Sequence, residues 1–194
     1  SYAPSLFIDE HGARLGMRQN PELKGIDAVH LFCRNPIGNG SAPVMRREAL
    51  DDVMFEVDAA EGRRQCWFDE TFRQSEDIEC WMRIAMSGAG RFAWVDEPLT
   101  HYRVNAGGLS ANIGAQHATW QRFRAKVANY APAFEAAWGD LAEAYQLRYL
   151  ARRAVRSNDP VTAMKLMGRA LRLGPRMLVE EPARTLSTLA AATL

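Results

Sequence analysis

Two adjacent carboxylates, Glu76 and Asp77, stand in the run Ser75-Glu76-Asp77-Ile78-Glu79-Cys80-Trp81-Met82-Arg83, where a helix should begin. Ile78, Trp81, Met82 and Ala85 recur at helical spacing, Ser75 suits the N-cap and Gly88 the stop, so both acids fall in the first turn. There the helix dipole and the free N–H groups favour the anion, whereas an apolar neighbour such as Trp81 disfavours it and raises the pKa. A carboxylate balanced between these influences is suited to general-base chemistry, the removal of a proton from a hydroxyl nucleophile. An acidic first turn by itself is an ordinary, favourable helix start; its neighbours along the chain give it further meaning.

A strand is expected over residues 100–104, where strict alternation places His101 and Arg103 on one face and Tyr102 on the other. Among the other acidic pairs, Asp51-Asp52, Asp69-Glu70 and Asp96-Glu97 read as helix end, loop or turn, because none closes an apolar strand as a metal-binding pair would. Gly38-Asn39-Gly40 and Gly107-Gly108 lack the spacing and following helix of a phosphate-binding glycine loop and read as turns.

The order of Gly40-Ser41, Val44-Met45-Arg46-Arg47-Glu48-Ala49-Leu50, Phe68-Asp69-Glu70, Glu76-Asp77, Arg83, Gly88, and Pro98-Leu99 with Tyr102-Arg103 resembles the second half of family 2 glycosyltransferases of the GT-A fold, over about residues 5–110. In that family the aspartate of the Glu-Asp motif is the catalytic base, which implies Asp77 here, with Glu76 orienting it or touching the acceptor. The resemblance further implies Ser41 and Trp81 on the acceptor side and Arg103, His101 and Asn105 near the donor diphosphate; the family often has a histidine where Asn105 stands. The implied reaction is inverting transfer of a sugar from a nucleotide-diphosphate sugar to a hydroxyl on a glycan or lipid-linked acceptor, in polysaccharide or glycoconjugate synthesis.

Residues 1–16, with Leu6-Phe7-Ile8-Asp9-Glu10-His11-Gly12, resemble the strand and turn that follow the family's Asp-x-Asp motif. The chain therefore reads as a fragment lacking the nucleotide-binding half. The complete enzyme is expected to use a divalent cation, Mg or Mn, held on that half, with none bound to this chain. Alone, the chain is expected to bind no nucleotide sugar tightly, to transfer none, and to expose an apolar sheet edge open to self-association. Residues 51–67 form an insertion relative to the family, read as a loop that shapes the acceptor site.

Composition bounds these readings. With 194 residues and 47% hydrophobic content the chain can bury a core. No run of about eighteen apolar residues is present, no N-terminal signal is visible, and a cytoplasmic location is the default. Cys33, Cys66 and Cys80 lack metal-ligand spacing and read as reduced thiols. The net charge of +1 divides unevenly: residues 1–113 carry 12 basic and 17 acidic side chains, and residues 114–194 carry 12 basic and 6 acidic. Nucleic-acid binding is not indicated; Arg148, Arg152, Arg153 and Arg156 are read as a basic face making peripheral contact with the inner face of a membrane.

Periodicity makes the second half helical. Trp120, Phe123, Val127 and Tyr130 form one stripe ended by Pro132, and Phe134, Ala137, Trp138, Leu141 and Tyr145 begin another. Asn158-Asp159-Pro160 breaks the chain, and residues 144–177 resemble one tetratricopeptide-type (TPR-like) hairpin, with Leu147, Leu150, Ala151, Ala163, Met167, Ala170 and Pro175 at expected positions and Ala154 where an aromatic is usual. A single repeat cannot bury its own face, so it must dock elsewhere. The expected organisation is an α/β, acceptor-side half of a GT-A domain over 1–113 and a helical tail over 114–194. The alternative is a non-catalytic interaction module built on a degenerate transferase half.

Overall fold

The computed structural model describes residues 1–19, 25–88, 90–104 and 112–193. The chain is a mixed α/β protein, 53% helical, with small sheets. It divides into two compact units, one formed by Ser1–Leu31 and Asn35–Ala111, the other by Phe32–Arg34 and Asn112–Leu194.

In the first unit, β1 (Ser5–Ile8) and β2 (Arg14–Gln19) form an antiparallel hairpin, and β5 (Thr100–Arg103) pairs with β1 in parallel, giving the strand order β2-β1-β5. The turn of the hairpin is closed by Asp9, whose carboxylate accepts from the backbone N–H groups of His11 and Ala13 at 2.9 and 2.8 Å, as a short acidic side chain does in a tight turn. Leu6 lies opposite His101 and Ile8 opposite Arg103, while Phe7 faces Tyr102 with ring centroids 5.8 Å apart. Alternation along β5 thus separates His101 and Arg103 from Tyr102.

Helix α1 (Ala28–Cys33) ends where the chain passes between the units, and α2 (Arg47–Asp51) is a short turn of helix. The insertion expected as a loop is instead a second hairpin, β3 (Phe55–Ala59) with β4 (Gly62–Cys66), in strict register from Phe55 opposite Cys66 to Ala59 opposite Gly62. Its strands carry Phe55 and Val57 alternating with Glu56 and Asp58, a period-two pattern obscured by the density of charge.

Helix α3 (Glu76–Ser87) buries Glu79, Cys80, Trp81, Met82 and Ile84 and stops at Gly88, whose φ of 70° is open to glycine without strain. Glu79 is fully buried. Its carboxylate accepts from the Arg83 guanidinium one turn on, at 2.8 and 3.0 Å. The same guanidinium donates to the backbone carbonyls of Val53 and Trp67 and lies 4.9 Å from the centroid of the Phe55 ring. Arg83 thus ties both legs of the inserted hairpin to α3, and its donors are spent on a carboxylate and two carbonyls, as a buried guanidinium requires.

The second unit is helical: α4 (Ile113–Tyr130), α5 (Pro132–Arg156), α6 (Pro160–Leu173), α7 (Met177–Glu180) and α8 (Pro182–Ala192). Asn112 caps α4 through the Ala115 N–H, and Asp159 caps α6 through the Thr162 N–H. Trp120, Phe123 and Val127 are buried as expected, but Tyr130 is 40% exposed. On α5 the expected stripe holds at Tyr145, and Leu147 and Leu150 continue it, all three buried, but Ala137 is exposed; Gly139, Ala142, Glu143, Ala144, Ala151 and Ala154 are buried as well, because α4, α6 and α8 all pack against this helix.

Ala154 meets Ala163 and Ala192 at a point where only small side chains let α5, α6 and α8 approach. The ring of Phe32 packs against Trp120, Phe123 and Phe134, with centroids 5.6 to 6.3 Å apart. Glu143, nearly buried, accepts from Arg124 and Arg169. The expected basic face loses Arg148. That residue is buried, pairs with Glu181, donates to the Thr185 hydroxyl at 2.8 Å, and lies over the Tyr145 ring; burial holds its pKa down at about 10. The three cysteines are buried and unbridged. No helix among the described residues is long and apolar enough to cross a membrane.

The pair on α3 generates a stability prediction. Glu79→Ala leaves a buried guanidinium without its carboxylate and is expected to lower unfolding stability by about 3 kcal/mol or more. Arg63→Ala, which removes only exposed pairs with Glu56 and Asp58, should lower it by about 0.5 kcal/mol or less. Urea unfolding followed by circular dichroism measures both, and equal small effects would remove the pair from its structural role.

Candidate functional site

The segment 35–41 carries one side of the site. The Asn35 carboxamide oxygen accepts from the N–H groups of Ile37 and Gly38, and its amide donates to the Gly38 carbonyl, folding the segment on itself. Asn39, buried, donates to the Ser5 hydroxyl at 2.8 Å and to the Gln19 side chain at 2.9 Å, while its oxygen accepts from the Ser41 N–H. The loop is thereby fastened to both strands of the first hairpin. It brings Gly40 against Asp77: a Cβ built on Gly40 would lie 3.5 Å from Asp77 Cβ and 3.6 Å from its Oδ2. Ser41, next in the chain, is exposed.

The start of α3 carries the other side. Ser75 occupies the N-cap position but does not cap through its hydroxyl. Its φ of 64° and ψ of 17° place it in the left-handed region, away from the extended backbone from which a serine reaches the first-turn N–H groups. Instead the Asp77 carboxylate accepts from the Ile78 N–H at 2.8 Å. Asp77 is half-buried, and burial pushes its carboxyl above the ordinary range, against the lowering effect of that hydrogen bond and with a further upward contribution from Glu76. Glu76 itself is exposed.

Trp81 lies one turn beyond Asp77. It is 1% exposed, meets Phe68 edge to face at 6.1 Å, and helps to line a cleft of about 790 Å3 with Tyr2, Ile37, Val44, Ile84 and Phe92. Arg46, Glu48 and Arg91 also line this cleft. The Trp81 Nε1–H is buried without a hydrogen-bond partner among the described residues. Mostly apolar walls with a few polar groups are the usual character of a small-molecule site.

The residues expected near a diphosphate occupy the far strand. Arg103 donates to the carbonyls of Asp9 and Glu10 at 2.8 and 2.7 Å, which fixes its guanidinium over the turn of the first hairpin. His101 is exposed on the same face of β5. Asn105 lies outside the described residues. The structure therefore gathers Asp77, Glu76 and Gly40-Ser41 at one place and Arg103 with His101 at another, each held by its own set of contacts.

Among the described residues no group of three or more His, Cys, Asp or Glu side chains comes together as a metal site. The divalent cation implied by the resemblance meets no such group there. Sequence reasoning placed Asn39 in a turn and Arg83 in a motif but missed the anchor that Asn39 makes and the pairing of Glu79 with Arg83. An Asn between two glycines and a Glu four residues before an Arg are the signals that mark them.

Comparison of the chain with known families, characterised proteins and solved structures finds no match. The site must be read from its own chemistry.

The raised pKa of Asp77 makes stability depend on pH. A carboxyl whose folded-state pKa is raised destabilises the fold when ionised, so its favourable contribution is full in acid and is lost as pH rises through the folded-state value. Asp77→Asn, which keeps the shape and removes the charge, should raise the melting temperature at neutral pH. The gain should shrink on acidification through the carboxylate range. Melting curves of the two proteins across that range test it, and a gain independent of pH would contradict the raised pKa.

Proposed function

We propose that this chain is the acceptor side of an inverting, family 2-type glycosyltransferase, with Asp77 as the general base. The observation that carries the reading is the half-buried carboxyl of Asp77, raised in pKa, at the first turn of α3 and flanked by the Gly40-Ser41 loop. The motif order from Gly40 to Arg103 is its sequence support. In the proposed step an acceptor hydroxyl hands its proton to Asp77 Oδ as its oxygen bonds to the anomeric carbon. The bond from that carbon to the donor's diphosphate breaks, and the diphosphate leaves with the electron pair.

A carboxyl with a raised pKa is the stronger base once ionised, so burial contributes directly to the chemistry. Ser41 and Trp81 stand on the acceptor side in this reading, with the cleft next to Trp81 as the space an acceptor's apolar portion fills. Arg103 and His101 are assigned to the diphosphate, Arg103 pre-positioned by its two bonds to the hairpin turn. The parallel pairing of β1 with β5 supports a GT-A-like assignment for the first unit, and the close packing of α5 on α6 through alanines supports a TPR-like hairpin in the second. A cytoplasmic setting with glycan or lipid-linked acceptors belongs to the same proposal.

Steady-state kinetics of the enzyme containing these 194 residues, with a panel of nucleotide sugars, provides the test. Asp77→Asn is expected to lower kcat by about a hundredfold or more with little change in donor KM. The parent's kcat/KM should also show an acid limb above the ordinary carboxylate range, which the variant loses. Unchanged turnover in Asp77→Asn would overturn the assignment.

A further inference from the structure

The cleft beside Trp81 is walled by segments that the backbone ties together. The Val44 N–H donates to the Ser1 carbonyl at 2.7 Å, whereas the Tyr2 N–H donates to the Ala93 carbonyl at 3.0 Å and the Val95 N–H to the Tyr2 carbonyl at 2.9 Å. Successive residues of an extended segment turn their backbone groups to opposite sides, so Ser1 and Tyr2 lie between residues 44–46 and residues 91–95. Two interstrand spacings, roughly 10 Å, separate these flanks. Gly90 brings the second flank onto α3. A Cβ there would lie 2.8 Å from Ile84 Cγ2, a contact that only glycine avoids.

Within this frame the lining divides by chemistry. Tyr2, Ile37, Trp81, Ile84 and Phe92 make the interior apolar, and Val44, 73% exposed, carries apolar surface to the rim. Arg46 on one flank and Arg91 on the other line the same cleft, with Glu48 a further lining residue, and all three are exposed. None of the three forms an ion pair among the described residues. Two guanidiniums against one carboxylate leave a net charge of +1 on the lining side chains.

The volume of about 790 Å3 lies within the roughly 300–1,000 Å3 of small-molecule sites. An occupant gains by covering the apolar interior, and guanidinium forks match the oxygens of a carboxylate. One carboxylate balances the net +1, whereas a phosphate monoester, nearly doubly charged, exceeds it. We propose that the cleft binds an amphipathic carboxylate, its apolar body against Trp81 and Phe92 and its carboxylate held between Arg46 and Arg91. This deepens the acceptor-side reading. It rests on that reading for the ligand's role, offering a hydroxyl to Asp77, and on the lining alone for binding.

The test uses the full chain and probes that share one aliphatic tail. Decanoate, decyl phosphate and decyltrimethylammonium are titrated by calorimetry below their aggregation concentrations, with acetate as the head alone. Decanoate is expected to bind at one site and to raise the melting temperature. Its affinity should exceed those of acetate and decyltrimethylammonium about tenfold or more. Arg46→Gln with Arg91→Gln should weaken it about tenfold or more, Glu48→Gln should tighten it about threefold, and Arg63→Gln on the charge-paired hairpin should leave it unchanged. The substituted residues are exposed, so the fold is retained, and circular dichroism verifies this. Decanoate binding alongside unchanged turnover in Asp77→Asn supports the carboxylate site while the transferase reading fails. Turnover that depends on Asp77 without decanoate binding overturns the carboxylate site alone. Equal binding of decyltrimethylammonium, tighter binding of decyl phosphate, or affinity insensitive to the double variant would also overturn the proposal.

Discussion

A carboxylate sealed from water has to be answered by a cation, and that requirement at Glu79 organises the first unit. Arg83 supplies the cation from the next turn of the same helix, but a guanidinium has more donors than one carboxylate can take. The surplus reaches the Val53 and Trp67 carbonyls, the two points where the inserted hairpin leaves and rejoins the chain. The electrostatic need of one helix thereby helps to fix the position of the inserted hairpin. The same helix begins with Asp77, so the frame that holds the hairpin also holds the candidate base.

Helix α3 was legible because its signals are local. The acidic first turn, the period of Ile78, Trp81 and Met82, and the Gly88 stop each depend on neighbours within a few residues. The cap itself was misread, since Ser75 is left-handed and its hydroxyl does not reach the first-turn N–H groups. The 55–66 hairpin was hidden for a different reason: its alternation survives, but Glu56, Asp58, Arg63 and Arg64 fill the exposed positions, and the apolar half of the pattern shrinks to Phe55 and Val57. Arg148 failed as a surface residue because Glu181 and Thr185, its partners, lie more than thirty residues away. No helical wheel contains them.

In the candidate site, residue types were readable and distances were not. The glycine at position 40 and the aspartate at 77 were chosen for separate motif positions, and what joins them is Asn39, which anchors the loop to Ser5 and Gln19. A buried carboxamide with two fixed acceptors is a specific device: it has no apolar signature, yet it decides where the next residue lies. Both the hairpin clamp and this anchor are polar. In a first unit with small sheets and short strands, hydrogen bonds to buried partners set the geometry that a broad apolar core sets in larger domains.

The helical unit is discontinuous in sequence. Phe32, Cys33 and Arg34 belong to it, the ring of Phe32 sits among Trp120, Phe123 and Phe134, and Asn35 immediately begins the loop that reaches Asp77. A module that needs a three-residue insert from elsewhere cannot be excised, swapped or appended by a single break in the chain. Any recombination that joined these helices to a different partner would arrive with a vacant aromatic pocket and with Glu181 short of the Arg34 guanidinium.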